Sequence, residues 1–198
     1  MLNAAEISEL IKSKGSDFRV SPLLSENLSA SANGTTSVDL RLGCWFIQLR
    51  TERCNGFDFG KSHKLSEDFL TSKSFVPFGT GFVLHPHNFV LAATLEWIKL
   101  PNYLGGYVTG KSSLGRRGLV IETAPGVHPN FLGCLTLELA NVGQVPLTLY
   151  PGMPICQLFL HRITSAPSEA GVTRFRAERQ PRLGVHEVDH VVDKLRIL

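Results

Sequence analysis

Within a short glycine-flanked stretch the chain gathers Lys111, Ser112, Ser113, Arg116 and Arg117, and Glu138 follows in Leu135-Thr136-Leu137-Glu138-Leu139-Ala140. Lysine and arginine offset phosphate charge, while hydroxyls and loop N–H groups supply directed donors. A carboxylate fixed on a rigid strand suits proton transfer. The two together point to chemistry on a phosphorylated small molecule. Each half also has a plainer reading, a basic surface turn and a solvent-facing strand glutamate. Catalysis requires Glu138 to face a pocket built by the Lys-Ser-Ser loop. That loop is not a Walker A sequence, because the GxxxxGK[ST] spacing is absent. Adjacent Arg116 and Arg117 cannot both easily point inward, so one is expected in a structural or intersubunit ion pair.

The elements that must position these residues are mostly strands. Ile7, Leu10 and Ile11 at helical spacing predict one short helix over residues 4–13, ending near Gly15. VDLRL (38–42) and CWFIQL (44–49) read as two strands, followed by FVPF, GFVLHP, FVLAATLEWIKL, YVTG, LVIET, CLTLELANV, LTLY and ICQLFLHRI. Gly, Pro and Asn separate them at short intervals, the pattern of an all-β sandwich or barrel. In the glutamate strand the leucines share one face, and Thr136, Glu138 and Ala140 the other. SSLGRR (112–117) is the exception, where Ser112 is expected to cap a single helical turn and leave amides facing an anion.

A chain of 198 residues is long enough for one well-buried core, and a second full domain would be cramped. From about Thr164 the composition turns polar and basic, with Arg174, Arg176, Arg179 and Arg182 against Glu178. The division is therefore a folded domain over 1–163 and a basic tail over 164–198, a lid or an intersubunit arm. The final HEVDHVVDKLRIL suits a short helix or a strand equally. A net charge of +3 is too small to argue for nucleic acid as a partner. No apolar run approaches a membrane span, and the first residues lack a signal-peptide core, so a cytoplasmic protein is expected. Cys44, Cys54, Cys134 and Cys156 are widely spaced without a CxxC pair and read as buried reduced thiols. His85 and His87 share a side of the segment only if it is extended, and Pro86 and Asn88 suit a turn.

The segments SVDLRLG (37–43), LHP (84–86), ATLE (93–96), GKSSLGRRGL (110–119), TA (123–124), GCLTLELxN (133–141) and LYPGMxI (149–155) resemble deoxycytidine triphosphate deaminases, a family of the dUTPase-like superfamily. The resemblance implies a mainly β subunit, a dUTPase-like distorted β-barrel or jelly roll with a short N-terminal helix. It also implies a homotrimer with active sites between subunits. The implied activity is hydrolytic deamination of dCTP to dUTP and ammonia. Glu138 is then the general base, and Ser112 and Arg116 position water and stabilise charge. Backbone groups at Thr123 and Ala124 would read the cytosine edge, and Phe131 would pack against deoxyribose. Lys111, Ser113 and Gln157 are the candidates for phosphate or loop contacts, with Mg²⁺ bound through the triphosphate. Zinc deaminases use H-x-E followed by P-C-x-x-C, and this chain has neither, so no catalytic zinc is expected.

The chain departs from the family's pattern in three places. His128-Pro129 stands where an Asp-Pro is usual, the interval from Gly118-Leu119 to Thr123-Ala124 is shorter, and the usual closing tail is not reproduced. Phe175 and its neighbouring arginines are the candidate substitute for that tail. Two alternatives stay open: a dUTPase or bifunctional dCTP deaminase and dUTP diphosphatase, and a non-catalytic nucleotide-binding trimer. The first lacks the expected aspartate in Gly126-Val127-His128-Pro129-Asn130-Phe131. The second conflicts with the presence of Ser112, Arg116 and Glu138.

Overall fold

The computed structural model of the chain describes residues 1–13, 15–24, 36–53, 56–60, 66–123, 126–164, 177–184 and 190–195. In chain order the elements are α1 (Ala4–Lys12), β1 (Arg19–Ser21), β2 (Ser37–Leu49), α2 (Glu67–Leu70), β3 (Thr71–Phe75), β4 (Phe82–Leu84), β5 (Phe89–Thr94) and β6 (Trp97–Lys99). There follow β7 (Leu104–Gly110), α3 (Ser112–Gly115), β8 (Leu119–Glu122), β9 (Leu132–Gly133), β10 (Thr136–Asn141), β11 (Leu147–Leu149), β12 (Pro154–Arg162) and α4 (His190–Leu195). The sequence left helix or strand open for the last of these, and it is a helix.

The main sheet runs β7-β12-β2-β5-β10-β8, with β3 also paired to β2, and every pairing is antiparallel. Its two ends approach each other, β7 against β8, so the sheet curls into a nearly closed barrel. Gly110 permits that closure, because a Cβ there would lie 3.0 Å from the Cβ of Ile121 on β8. Smaller sheets β1-β6-β9 and β4-β11 complete the β structure. Leu40, Leu42, Phe46, Leu137, Leu139 and Leu158 fill the interior, and Phe46 stacks on Phe82 with centroids 4.3 Å apart. At the N-terminus, the Asn3 side chain accepts from the Glu6 amide while the Glu6 carboxylate accepts from the Asn3 amide, a reciprocal cap that starts α1.

Three strand boundaries differ from the sequence reading. The two strands expected at 38–42 and 44–49 are one, β2, whose register against β5 shifts between Leu42 and Phe46. That irregularity absorbs Gly43 without breaking the chain's path. The run FVLAATLEWIKL divides into β5 and β6 because Glu96 turns inward between them, fully buried. FVPF contributes only Phe75, the last residue of β3. His85 and His87 fall in a turn, with His87 at φ 63° and the Asn88 amide donating to the His85 carbonyl. They therefore do not share one side of an extended segment.

Glu96 ties together segments that carried the family resemblance. Its Oε2 accepts the Arg41 amide at 2.8 Å, and Arg41 Nη1 donates to the Gly152 carbonyl at 2.8 Å. ATLE, VDLRL and the PGM turn are thus joined by structural polar contacts inside the subunit. Replacing Glu96 by alanine leaves a buried N–H without its acceptor, which is expected to cost roughly 1–3 kcal/mol. An unchanged urea midpoint would contradict this role.

Among the described cysteines, Cys156 is buried, Cys44 and Cys134 are half-buried, and all three are free thiols. Cys54 lies outside the described residues. Burial pushes the Cys134 thiol up from 9.0 to about 11, with Arg179 opposing and Glu96 adding to the shift. Such a thiol is a poor nucleophile at neutral pH. Its neutral form is shared by the folded and unfolded states below pH 9, whereas above it the unfolded chain releases the proton first. Stability should therefore fall as pH rises from about 9 to about 11. Cys134→Ala should flatten that part of a pH–stability curve, and an unchanged slope would assign it to other groups.

Candidate active site

Strand β10 alternates as the leucine pattern requires. Leu137 and Leu139 are buried, and Glu138 between them is exposed. Pairing on both sides holds the backbone of Glu138 fixed, opposite Leu91 on β5 and opposite Glu122 on β8. Residues directly opposite in an antiparallel pair share a face with Cβ atoms about 5 Å apart. Glu122 therefore stands beside Glu138 on the same side of the sheet. Just beyond β8, the Thr123 hydroxyl donates to the Thr136 carbonyl at 2.9 Å, which fixes the end of this strand pair. Ala124 lies outside the described residues.

The second group begins where β7 ends. Ser112 is the first residue of α3, and the cap position is Lys111, which makes no side-chain capping bond. The cap expected of Ser112 is thus displaced by one residue. Lys111's side chain has another partner, because its Nζ pairs with Asp39 on β2. Ser112 and Ser113 are left exposed at the head of the turn. Arg117 Nη1 donates to the Ser113 carbonyl at 2.7 Å and braces the turn, while Arg116 is exposed. Both arginines are exposed, and the Arg117 contact is a hydrogen bond to a carbonyl rather than the ion pair expected of one of them. Gly118 returns the chain into β8 at φ 91°, with its would-be Cβ 2.8 Å from Gly143 Cα. Only glycine meets both demands there.

Gln157 belongs with Lys111 rather than with Glu138. Its Nε2 donates to Ser37 Oγ and to Asp39 Oδ1, each at 3.1 Å. Asp39 therefore gathers two of the phosphate candidates into one polar cluster, a role the sequence reading did not assign. Phe131 is half-buried and packs against the core at its edge, and its amide donates to the His128 carbonyl at 3.2 Å. His128 itself is exposed.

Part of the tail is placed beside this loop. Glu178 bridges in parallel to Gly133, the Ala177 amide donates to the Leu132 carbonyl at 2.6 Å, and the Cys134 amide donates to the Glu178 carbonyl at 2.8 Å. Arg182 pairs with Glu178 at 3.0 Å, and the Leu183 amide donates to Glu67. A polar cavity of about 580 Å³ lies between this segment and Glu67, Asp68 and Lys73, and it contains none of the candidate site residues. Phe175, proposed from the sequence as a lid residue, lies outside the described residues.

One chain does not bring the two groups together. The α3 turn delivers the chain to Leu119, which pairs with Asn141, whereas Glu138 pairs with Glu122 at the other end of β8. At about 3.3 Å per residue, on the order of 10 Å of strand separates these ends. No hydrogen bond or ion pair joins Glu138 to Ser112 or Arg116 among the described residues. The carboxylate and the basic hydroxyl turn are therefore two separate groups within the subunit.

The dCTP deaminase-like family profile matches residues 1–163. The chain belongs to that family. Among its relatives, a protein of Mycolicibacterium paratuberculosis named "dCTP deaminase, dUMP-forming" is 45% identical over 151 residues, covering 75% of this chain and 77% of the relative. A protein of the same name from Mycobacterium tuberculosis is 47% identical over 135 residues, 68% of each chain. The crystal structure of 2′-deoxycytidine 5′-triphosphate deaminase from Agrobacterium tumefaciens superposes with a TM-score of 0.60 at 20% identity. That superposition covers 82% of this chain and 46% of the other, and it shows the shared fold. As a dCTP deaminase-like chain, the protein has the mainly β, barrel-like subunit that the resemblance implied. Among the described residues, no helix is long and apolar enough to cross a membrane, and no group of three His, Cys, Asp or Glu could hold a metal ion.

An acid that sequence reasoning did not single out, Glu122, stands opposite Glu138. Its signal was present, because strand LVIE (119–122) ends on an acid directly before Thr123. Only the pairing register shows that this acid faces Glu138 rather than another position.

Proposed function

We propose that the protein deaminates dCTP hydrolytically, with Glu138 as the proton-transferring group. The observation that carries this reading is an exposed carboxylate on a doubly paired strand, next to the anchored Thr123, in a chain 45% identical to a dCTP deaminase. Water adds to C4 of cytosine as Glu138 takes one of its protons. The same carboxylate returns a proton to the amino nitrogen, because ammonia leaves a tetrahedral centre far more readily than an amide anion does. The first proton reaches ring N3 through Glu138, and the C4 hydroxyl gives the second to the amino nitrogen by the same route. The C4–N bond breaks, and ammonia departs as C4–O becomes the uracil carbonyl. Ser112 and Arg116 position the water and offset charge on the ring. Thr123 and Ala124 offer backbone groups to the base edge, and Phe131 offers a ring to the sugar.

The separation of Glu138 from α3 supports a homotrimer in which one copy supplies the Ser112–Arg116 turn and its neighbour supplies Glu138. Lys111 and Ser113 then meet the triphosphate, with Gln157 holding Asp39 behind Lys111. Mg²⁺ carried by the triphosphate would offset part of its charge beside Lys111 and Ser113. The cytoplasm, as the compartment of nucleotide synthesis, is the location this reading implies.

The expected end product changes from dUTP to dUMP, because the relatives are named dUMP-forming. In that sequence a second water cleaves dUTP to dUMP and pyrophosphate. His128 stands where the acid for that step was expected, so imidazole would have to serve as the proton acceptor. Incubation with dCTP and Mg²⁺, followed by chromatography, tests both steps. The expected products are dUMP and pyrophosphate. Accumulation of dUTP alone would confine the protein to deamination, and absence of any uracil nucleotide would overturn the proposal.

A further inference from the structure

We infer that Glu122 is a specificity-determining residue that selects a cytosine over a uracil nucleotide by accepting a hydrogen bond from the 4-amino group. The inference rests on the deaminase reading of Glu138. It starts from the strand register, which sets Glu122 directly opposite Glu138 on an exposed face. On the other flank, the residue opposite Glu138 is Leu91, which offers no polar group. Whatever atom Glu138 serves therefore lies within side-chain reach of one further carboxylate. No hydrogen bond or ion pair engages Glu122 among the described residues, while the neighbouring Thr123 is anchored to β10. The anchored strand end aims the acid without consuming it.

The chemistry of the two bases gives that carboxylate a direction. Cytosine presents an amino donor at position 4, and a carboxylate is a matched acceptor for it. Uracil presents a carbonyl oxygen there, so the same carboxylate faces lone pairs with lone pairs. Substrate is held and the deaminated base is disfavoured at the same atom. A glutamine at 122 can rotate its amide to donate to the uracil oxygen or accept from the cytosine amine, and so loses the distinction. Two like charges set opposite each other also weaken a sheet, so Glu122 is not there for stability. The discrimination makes dUTP arriving from solution a poor ligand while leaving dUTP formed in place able to react onward.

The test measures binding of dCTP and of the non-hydrolysable α,β-imido analogue of dUTP, both with Mg²⁺, by calorimetry. It uses two otherwise identical proteins, Glu138→Gln and Glu138→Gln/Glu122→Gln, so that dCTP is not turned over. The Glu138→Gln protein should prefer dCTP by roughly tenfold, the scale of one hydrogen bond to a charged group. The double variant should bind the two nucleotides about equally, chiefly through tighter binding of the uracil analogue. The same preference in both proteins would overturn the role of Glu122 and leave the deaminase reading standing. Binding of neither nucleotide, together with no dCTP turnover by the unmodified protein, would remove both. Glu122→Ala in the same background should also lose the preference, and equal melting temperatures would show that folding is not what changed.

Discussion

Replacing Glu138 by glutamine should lower the rate of dCTP deamination by roughly 10²–10⁴-fold, the range that a positioned acid–base group supplies. The loss should fall on kcat, with nucleotide binding still measurable, because the amide keeps the side chain's shape and cannot take the water proton. Folding is not at stake in this substitution. Glu138 is exposed, its backbone is held by β5 and β8, and removing its charge relieves the repulsion from Glu122. The thermal midpoint should therefore stay level or rise slightly. A variant with an unimpaired rate would take Glu138 out of the mechanism and leave the strand glutamate as a solvent-facing residue.

Two inactive variants should recover activity when they assemble together. Glu138→Gln keeps the α3 turn intact, and Arg116→Ala keeps the glutamate strand intact. If each site joins α3 of one copy to β10 of the next, co-expression of the two generates some sites with both halves unaltered. Random assembly in equal amounts gives about a quarter of such sites in a cyclic trimer. Activity should rise from near zero for each parent to about that share of the unmodified rate. Separate tags on the two variants allow mixed assemblies to be isolated. Mixed trimers as inactive as their parents would place the whole site within one chain, against the separation of α3 from Glu138 along β8.

The barrel was legible because strand alternation is a local property. The pattern LTLELA puts Leu137 and Leu139 in the core and Glu138 outside, and the structure has them so. The α1 helix was equally legible from Ile7, Leu10 and Ile11. What the sequence left hidden depends on contacts distant along the chain. Glu96 divides a long apolar run in two because its acceptor oxygen meets the Arg41 amide, 55 residues away. Glu122 comes beside Glu138 only through the strand register. Lys111 and Gln157 looked like separate phosphate ligands until Asp39, on a third strand, was seen to hold both. The tail segment 177–184 carries no strand pattern of its own, and its place beside β9 comes from backbone hydrogen bonds. Ser112 looked like a cap because serine usually caps, but Lys111 takes that position and Ser112 becomes the exposed first residue of the turn.

The most direct measurement follows ammonia release from dCTP with Mg²⁺ present, at matched concentrations of the unmodified protein and of Glu138→Gln. The account predicts one ammonia for each dCTP consumed by the unmodified protein, and release at least about a hundredfold slower from the variant. Equal release from both proteins, or none from either, would contradict it.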